Sequence, residues 1–75
     1  MERLRYVIDR ADREWHLIEE GAGAPMARFK TKRQAVARGR EIARRRGHSQ
    51  LIVKGKNHVI QAEWTYGQDP ERFLG

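Results

Sequence analysis

A chain of seventy-five residues with no cysteine can have neither a disulfide framework nor a thiolate metal site. A chain this short buries only about 60% of its unfolded surface, so one small domain over residues 1–75, with a marginal core, is expected. The formal net charge is +6 and unevenly placed: residues 28–46 carry nine Lys/Arg against one acid, Glu41, while the rest carries seven bases and nine acids. A localised excess of this kind suits an anionic partner. No apolar run approaches the roughly 18 residues that cross a membrane, and the N-terminus has no signal-peptide apolar segment. The expectation is a cytoplasmic protein without a membrane partner.

Leu4 to Asp9 alternates, with Leu4, Tyr6 and Ile8 opposing Arg5, Val7 and Asp9, and reads as a strand. Arg10-Ala11-Asp12-Arg13 reads as a four-residue turn. Glu14 to Glu19 alternates again, which would set Ile8 against Trp15 and Tyr6 against Leu17 on one face. Residues 20–30, rich in Gly, Ala and Pro, read as a loop. Thr31-Lys32-Arg33-Gln34 is a capping-box sequence, and it predicts a helix over 32–46 that stops at Gly47. Ala35, Val36, Gly39, Ile42 and Ala43 make its narrow apolar stripe, with Arg33, Arg40 and Arg44 opposite. Residues 50–54 and 59–65 read as strands joined by a turn at 55–58, which pairs Val53 with Ile60 and Leu51 with Ala62. The last residues, 67–75, form a tail that includes Phe73 and Leu74.

The order is strand, strand, helix, strand, strand. The predicted fold class is α+β: a ββαββ domain, with a four-stranded antiparallel sheet from two hairpins and the helix on one face. Its core would hold Leu4, Tyr6, Ile8, Trp15, Leu17, Phe29, Val36, Ile42, Leu51, Val53, Ile60, Ala62 and Trp64.

Tyr6-Val7-Ile8, Trp15-His16-Leu17, Glu20-Gly21-Ala22, Phe29-Lys30-Thr31-Lys32 and Arg40-Glu41-Ile42-Ala43 occur in that order, followed by residues 50–57, Val59-Ile60-Gln61 and Thr65-Tyr66-Gly67. From about Tyr6 to Pro70 the chain resembles a small prokaryotic family known as domain of unknown function 2188, most specifically in the second hairpin. That family typically has glycine where this chain has His58, so the turn here must rely on Gly55 and Asn57. The resemblance implies a fold but no activity and no catalytic residue.

The basic helix is the strongest functional signal. Guanidinium groups pair bidentately with phosphate oxygens and stay charged. Arg33, Arg40, Arg44 and Arg45, extended by Lys30, Lys32, Lys54 and Lys56, are the candidate nucleic-acid contacts. The plainer reading is a solvated face that keeps a small protein soluble. No helix-turn-helix, zinc finger or RNP pattern is present, so binding would be to the backbone and not sequence-selective. Tyr6, Trp15 and Trp64 fall on the core face, which leaves Tyr66 as the accessible aromatic. His16, His48 and His58 lack zinc-site spacing, and Ser49 beside His48 is not a triad. No cofactor, metal, small-molecule ligand or catalytic activity is therefore expected. The alternative function is a structural or protein-interaction module, self-associating as a homodimer or docking through the second sheet face, where Val7, Ile18, Ile52 and Val59 stand among Arg5, His16, Lys54 and Gln61.

Overall fold

A computed structural model describes residues 3–67 of the chain. The tail beyond Gly67, with Phe73 and Leu74, lies outside the described residues. Strand β1 (Leu4–Ala11) runs further than the alternation of its large side chains suggests, and β2 (Glu14–Glu19) begins after only two turn residues. Asp12 and Arg13 adopt φ of 53° and 65°. Two consecutive left-handed residues give a turn whose twist matches that of the paired strands. The register is therefore Ile8 to Leu17, Tyr6 to Glu19 and Arg10 to Trp15. It is offset by two from the pairing expected of a four-residue turn. A slip of two leaves every side chain on its original face, so the core residues of this hairpin are unchanged.

The predicted four-stranded antiparallel sheet needs two corrections. First, a short strand β3 (Ala27–Phe29) lies in the stretch read as loop and pairs antiparallel with β2, Trp15 opposite Phe29 and Leu17 opposite Ala27. Three residues are too few to show alternation, so period alone does not reveal it. Second, the sheet is mixed. Its order is β3-β2-β1-β4-β5, and β4 (Ser49–Lys54) runs parallel to β1, with Tyr6 opposite Leu51 and Ile8 opposite Val53. The helix α1 (Lys32–Arg46) is the cause. At 1.5 Å per residue it spans roughly 22 Å, about the length of a six- or seven-residue strand. It carries the chain from the end of β3 back to the level where β3 began, so β4 starts in the same direction as β3. Strands β2 and β1 fill the space between them.

The helix begins and ends as its sequence directs. The Thr31 hydroxyl accepts from the Gln34 N–H at 3.1 Å, and the Gln34 side chain accepts from the Thr31 N–H at 3.4 Å. Gly47, with φ of 78°, donates its N–H to the Arg44 carbonyl. Ala35, Gly39 and Ala43 are the buried helix positions. A Cβ on Gly39 would come within 3.1 Å of methyl groups of both Ile8 and Leu51, so the missing side chain sets how closely helix and sheet approach. The Ser49 hydroxyl, fully buried, donates to the Ala43 carbonyl and ties the start of β4 to the last turn of the helix.

Strand β5 (Ile60–Tyr66) completes the sheet. Leu51 faces Trp64 and Val53 faces Ala62, but Lys54 faces Ile60, so Gln61 is an extra residue in a β-bulge. The longer turn and the bulge together displace the predicted pairing of Val53 with Ile60. Ile60 consequently leaves the core and is 49% exposed. Leu4, at the end of β1, is also out of the core at 37% exposed. Tyr6, Ile8, Leu17, Leu51 and Val53 are fully buried beneath the helix, and Phe29, Val36, Ile42, Ala62 and Trp64 pack around them partly covered. No helix among the described residues is long and apolar enough to cross a membrane.

Candidate nucleic-acid interface

The outer side of α1 is where the cations gather. Arg33, Arg40 and Arg44 follow one another at spacings of seven and four, which keeps them on one stripe. All three are exposed. Arg45 falls on the neighbouring stripe and shares the carboxylate of Glu41 with Arg38, at 3.4 Å for Arg45. The hydrogen bond and charge of Arg38, followed by the charge of Arg45, hold the Glu41 carboxyl below its ordinary value of 4.5. The single acid of the helix is therefore consumed by two arginines of one stripe. Arg44 of the other stripe acts on Glu41 through its charge alone, and neither Arg33 nor Arg40 is paired with it.

Arg40 is also held in place. Its Nε donates to the Tyr66 hydroxyl at 3.1 Å, and its guanidinium carbon lies 5.0 Å from the centre of the Trp64 ring. Trp64 and Tyr66 stand two residues apart on β5, so both present to the helix side. A shallow depression follows, lined by Ala37, Arg38, Arg40, Glu41, Arg44 and Tyr66. With Nε and one ring face engaged, the two terminal nitrogens of Arg40 remain for an anion. This seat was not legible from the helix alone, where Arg40 reads as a freely solvated side chain. The signal was the pair Trp64 and Tyr66, in phase on a strand whose neighbour is the helix. Tyr66 accordingly supports an arginine and is half-buried, rather than forming an open stacking platform.

The lysines separate into different places. Lys30 is exposed ahead of the helix cap. Lys32 bonds the side chain of Gln61 and lies 5.7 Å from the Trp15 ring centre. It shares a notch with Lys56. Lys54 alternates with the core residue Val53 and belongs to the opposite face of the sheet, so it does not extend the helix surface. Gln61, read as part of that opposite face, reaches the helix side instead.

On the sheet face away from the helix, Val7 stands opposite both Ile18 and Ile52 and makes one apolar row across three strands. Val59 is not part of it, since it precedes β5 and is 58% exposed. Ile52 is only 8% exposed, flanked by the Gln50 to Glu63 hydrogen bond at 2.9 Å. Among the described residues no group of three or more His, Cys, Asp or Glu side chains is placed to hold a metal.

Residues 5–66 match the family described as "Uncharacterized protein conserved in bacteria (DUF2188)", and the chain belongs to it. No curated protein and no solved structure matches the chain.

Proposed function

We propose that this member of an uncharacterised bacterial family binds nucleic acid through its phosphate backbone, without reading sequence, using the stripe of Arg33, Arg40 and Arg44. One observation carries this reading: Arg40, an exposed residue, is held by the Tyr66 hydroxyl and the Trp64 ring. A fixed guanidinium loses less side-chain freedom on meeting a phosphate than a solvated one does. Arg44 and Arg33, one and two turns away from Arg40, are spaced to meet neighbouring phosphates. In this reading the protein is cytoplasmic and catalyses nothing.

The test is binding of labelled duplex DNA by the full chain as salt is varied. Log affinity should fall linearly with log salt, with a slope of about −0.9 per phosphate neutralised. Arg33→Gln with Arg44→Gln should reduce both affinity and slope for every sequence alike. Tyr66→Phe should weaken binding while leaving the fold intact, because it releases Arg40 without removing a charge. Absence of binding at low salt, or equal binding by the double variant, would remove the proposal.

A second reading is supported by the row of Val7, Ile18 and Ile52: a protein-interaction module that self-associates or docks through that face. It is the weaker reading because little of Ile52 is presented. Ile52→Lys turning dimers into monomers in light scattering would favour it.

A further inference from the structure

We infer a second anion site, separate from the helix stripe, for the dianion of a phosphate monoester. It is the notch at the end of the sheet where α1 begins. Trp15, Lys32, Gly55, Lys56, Asn57 and Gln61 line it, an open notch of about 460 Å³. Arg10 flanks the notch without lining it, its guanidinium 5.4 Å from the Trp15 ring centre. Lys32 approaches the same ring, so two cations rest on one buried indole. With Lys56, Lys32 gives the lining of the notch two positive charges. No residue lining the notch carries a carboxylate, and Lys32 is bonded to a neutral amide, the side chain of Gln61.

The glycine in the notch has a spatial purpose. Gly55 does not have a positive φ, so its backbone does not require glycine. A Cβ there would come within 2.5 Å of Gln61 Nε2 and 2.8 Å of its Cδ. The Gln61 amide thus lies directly on Gly55, and this places its oxygen at Lys32. The bulge that makes Gln61 an extra residue lets this side chain reach the helix side. Asn57, the remaining polar neighbour, accepts from the Val59 N–H at 3.2 Å and stiffens the turn. The arrangement is a set of separate donors around a space with an uncompensated positive charge. A carboxylate would neutralise one of the two lysines. A phosphate monoester carries about −1.5 to −2 at neutral pH on three acceptor oxygens, and its charge matches that of the two lysines.

Such a group has two sources, a free nucleotide or the 5′-phosphate end of a nucleic acid strand. The full chain, labelled with nitrogen-15, would be titrated at constant ionic strength with inorganic phosphate, AMP, adenosine and acetate. A 5′-phosphorylated oligonucleotide and its 5′-hydroxyl counterpart would follow. Phosphate and AMP should give saturable shifts at the Gly55, Lys56 and Asn57 amides, the Gln61 side-chain amide and the Trp15 indole N–H. Adenosine and acetate should not. Lys56→Gln, at an exposed turn position, should weaken AMP binding about tenfold, the loss expected for one charged hydrogen bond. Gly55→Ala should weaken it by displacing Gln61, with the remaining spectrum preserved. Notch shifts with the 5′-phosphorylated strand, absent with the hydroxyl strand, would identify a strand end as the source. Shifts with AMP and not with that strand would identify a free nucleotide. Notch signals that do not move with phosphate or AMP, that move equally with acetate, or that titrate unchanged in Lys56→Gln would overturn the inference. None of those results bears on the Arg33, Arg40 and Arg44 stripe, which is tested by duplex binding.

Discussion

Gly39 is the point at which helix and sheet come closest, and the two forces acting there oppose each other. Alanine in a helix interior is favoured over glycine by about 1 kcal/mol. Its methyl would press on side chains of Ile8 and Leu51, both fully buried. Overpacking of this kind costs about 1–3 kcal/mol. Gly39→Ala should therefore destabilise the protein by about 1 kcal/mol in urea unfolding; a stabilised variant would show that the core yields. At Trp64 the ring is only half-covered and carries Arg40 on its face. Trp64→Ala should cost about 2 kcal/mol, less than the 3–5 kcal/mol of a fully buried tryptophan. Glu41 gives a pH dependence of known sign. Its carboxyl is held below 4.5 in the folded chain, so its contribution is present above that value and is lost as pH falls through the folded one. Glu41→Gln should melt lower than the parent at neutral pH, with the difference closing on acidification.

The hairpins show how turns set the elements. Asp12 and Arg13 both hold positive φ, and only the first of them is a residue type that tolerates it well. Replacing Arg13 with glycine should stabilise the chain by about 0.5–1 kcal/mol in thermal or urea unfolding, because a side chain in the left-handed region is strained. No gain, or a loss, would mean that the added freedom of the unfolded chain dominates. The second turn presents the same problem with a different remedy. His58, with φ of 66°, places Nδ1 2.8 Å from Asp9 Oδ1, so the strained residue also bonds across to β1. His58→Gly relieves the strain and removes that bond, and its stability should stay close to the parent's. At the far end of β5, Gly67 has φ of 77°, and a Cβ there would meet the backbone of Gly47 and His48 within 2.8 Å. The strand closes against the link from α1 to β4, and glycine is required there for space as well as for angle.

At the scale of the molecule, one helix covers one side of a five-stranded sheet, and the parallel pair β1 and β4 lies at the centre. Their amides are paired on both sides, and the fully buried side chains Tyr6, Ile8, Leu51 and Val53 belong to them. Strand β3 has three residues and an open edge. Native-state hydrogen exchange should therefore be slowest in β1 and β4 and fastest among the strands in β3. Equal protection across all five strands would mean that the sheet opens only by global unfolding. The helix side carries both the arginine stripe and the notch of Lys32 and Lys56, while Glu63, Asp9 and Lys54 stand on the other face.

The sequence by itself determined the helix from its capping box to Gly47, the strands long enough to alternate, and the face on which each large side chain of the first hairpin sits. Those properties depend on local hydrogen bonds and on period, which are written in neighbouring residues. Pairing was legible only to within two residues, since a slip of two conserves faces and only the turn decides between registers. Tertiary structure alone decided the rest: the third strand, the parallel junction of β1 with β4, the exposure of Leu4 and Ile60, and the grouping of the cations. Arg40 is held because Trp64 and Tyr66, more than 20 residues away, arrive beside it on β5. Lys32 and Lys56 meet because the start of α1 and the turn before β5 come together at one corner of the sheet. Contacts between distant segments depend on how helix length matches strand length and on where a bulge falls. Neither is a property of any one stretch of residues.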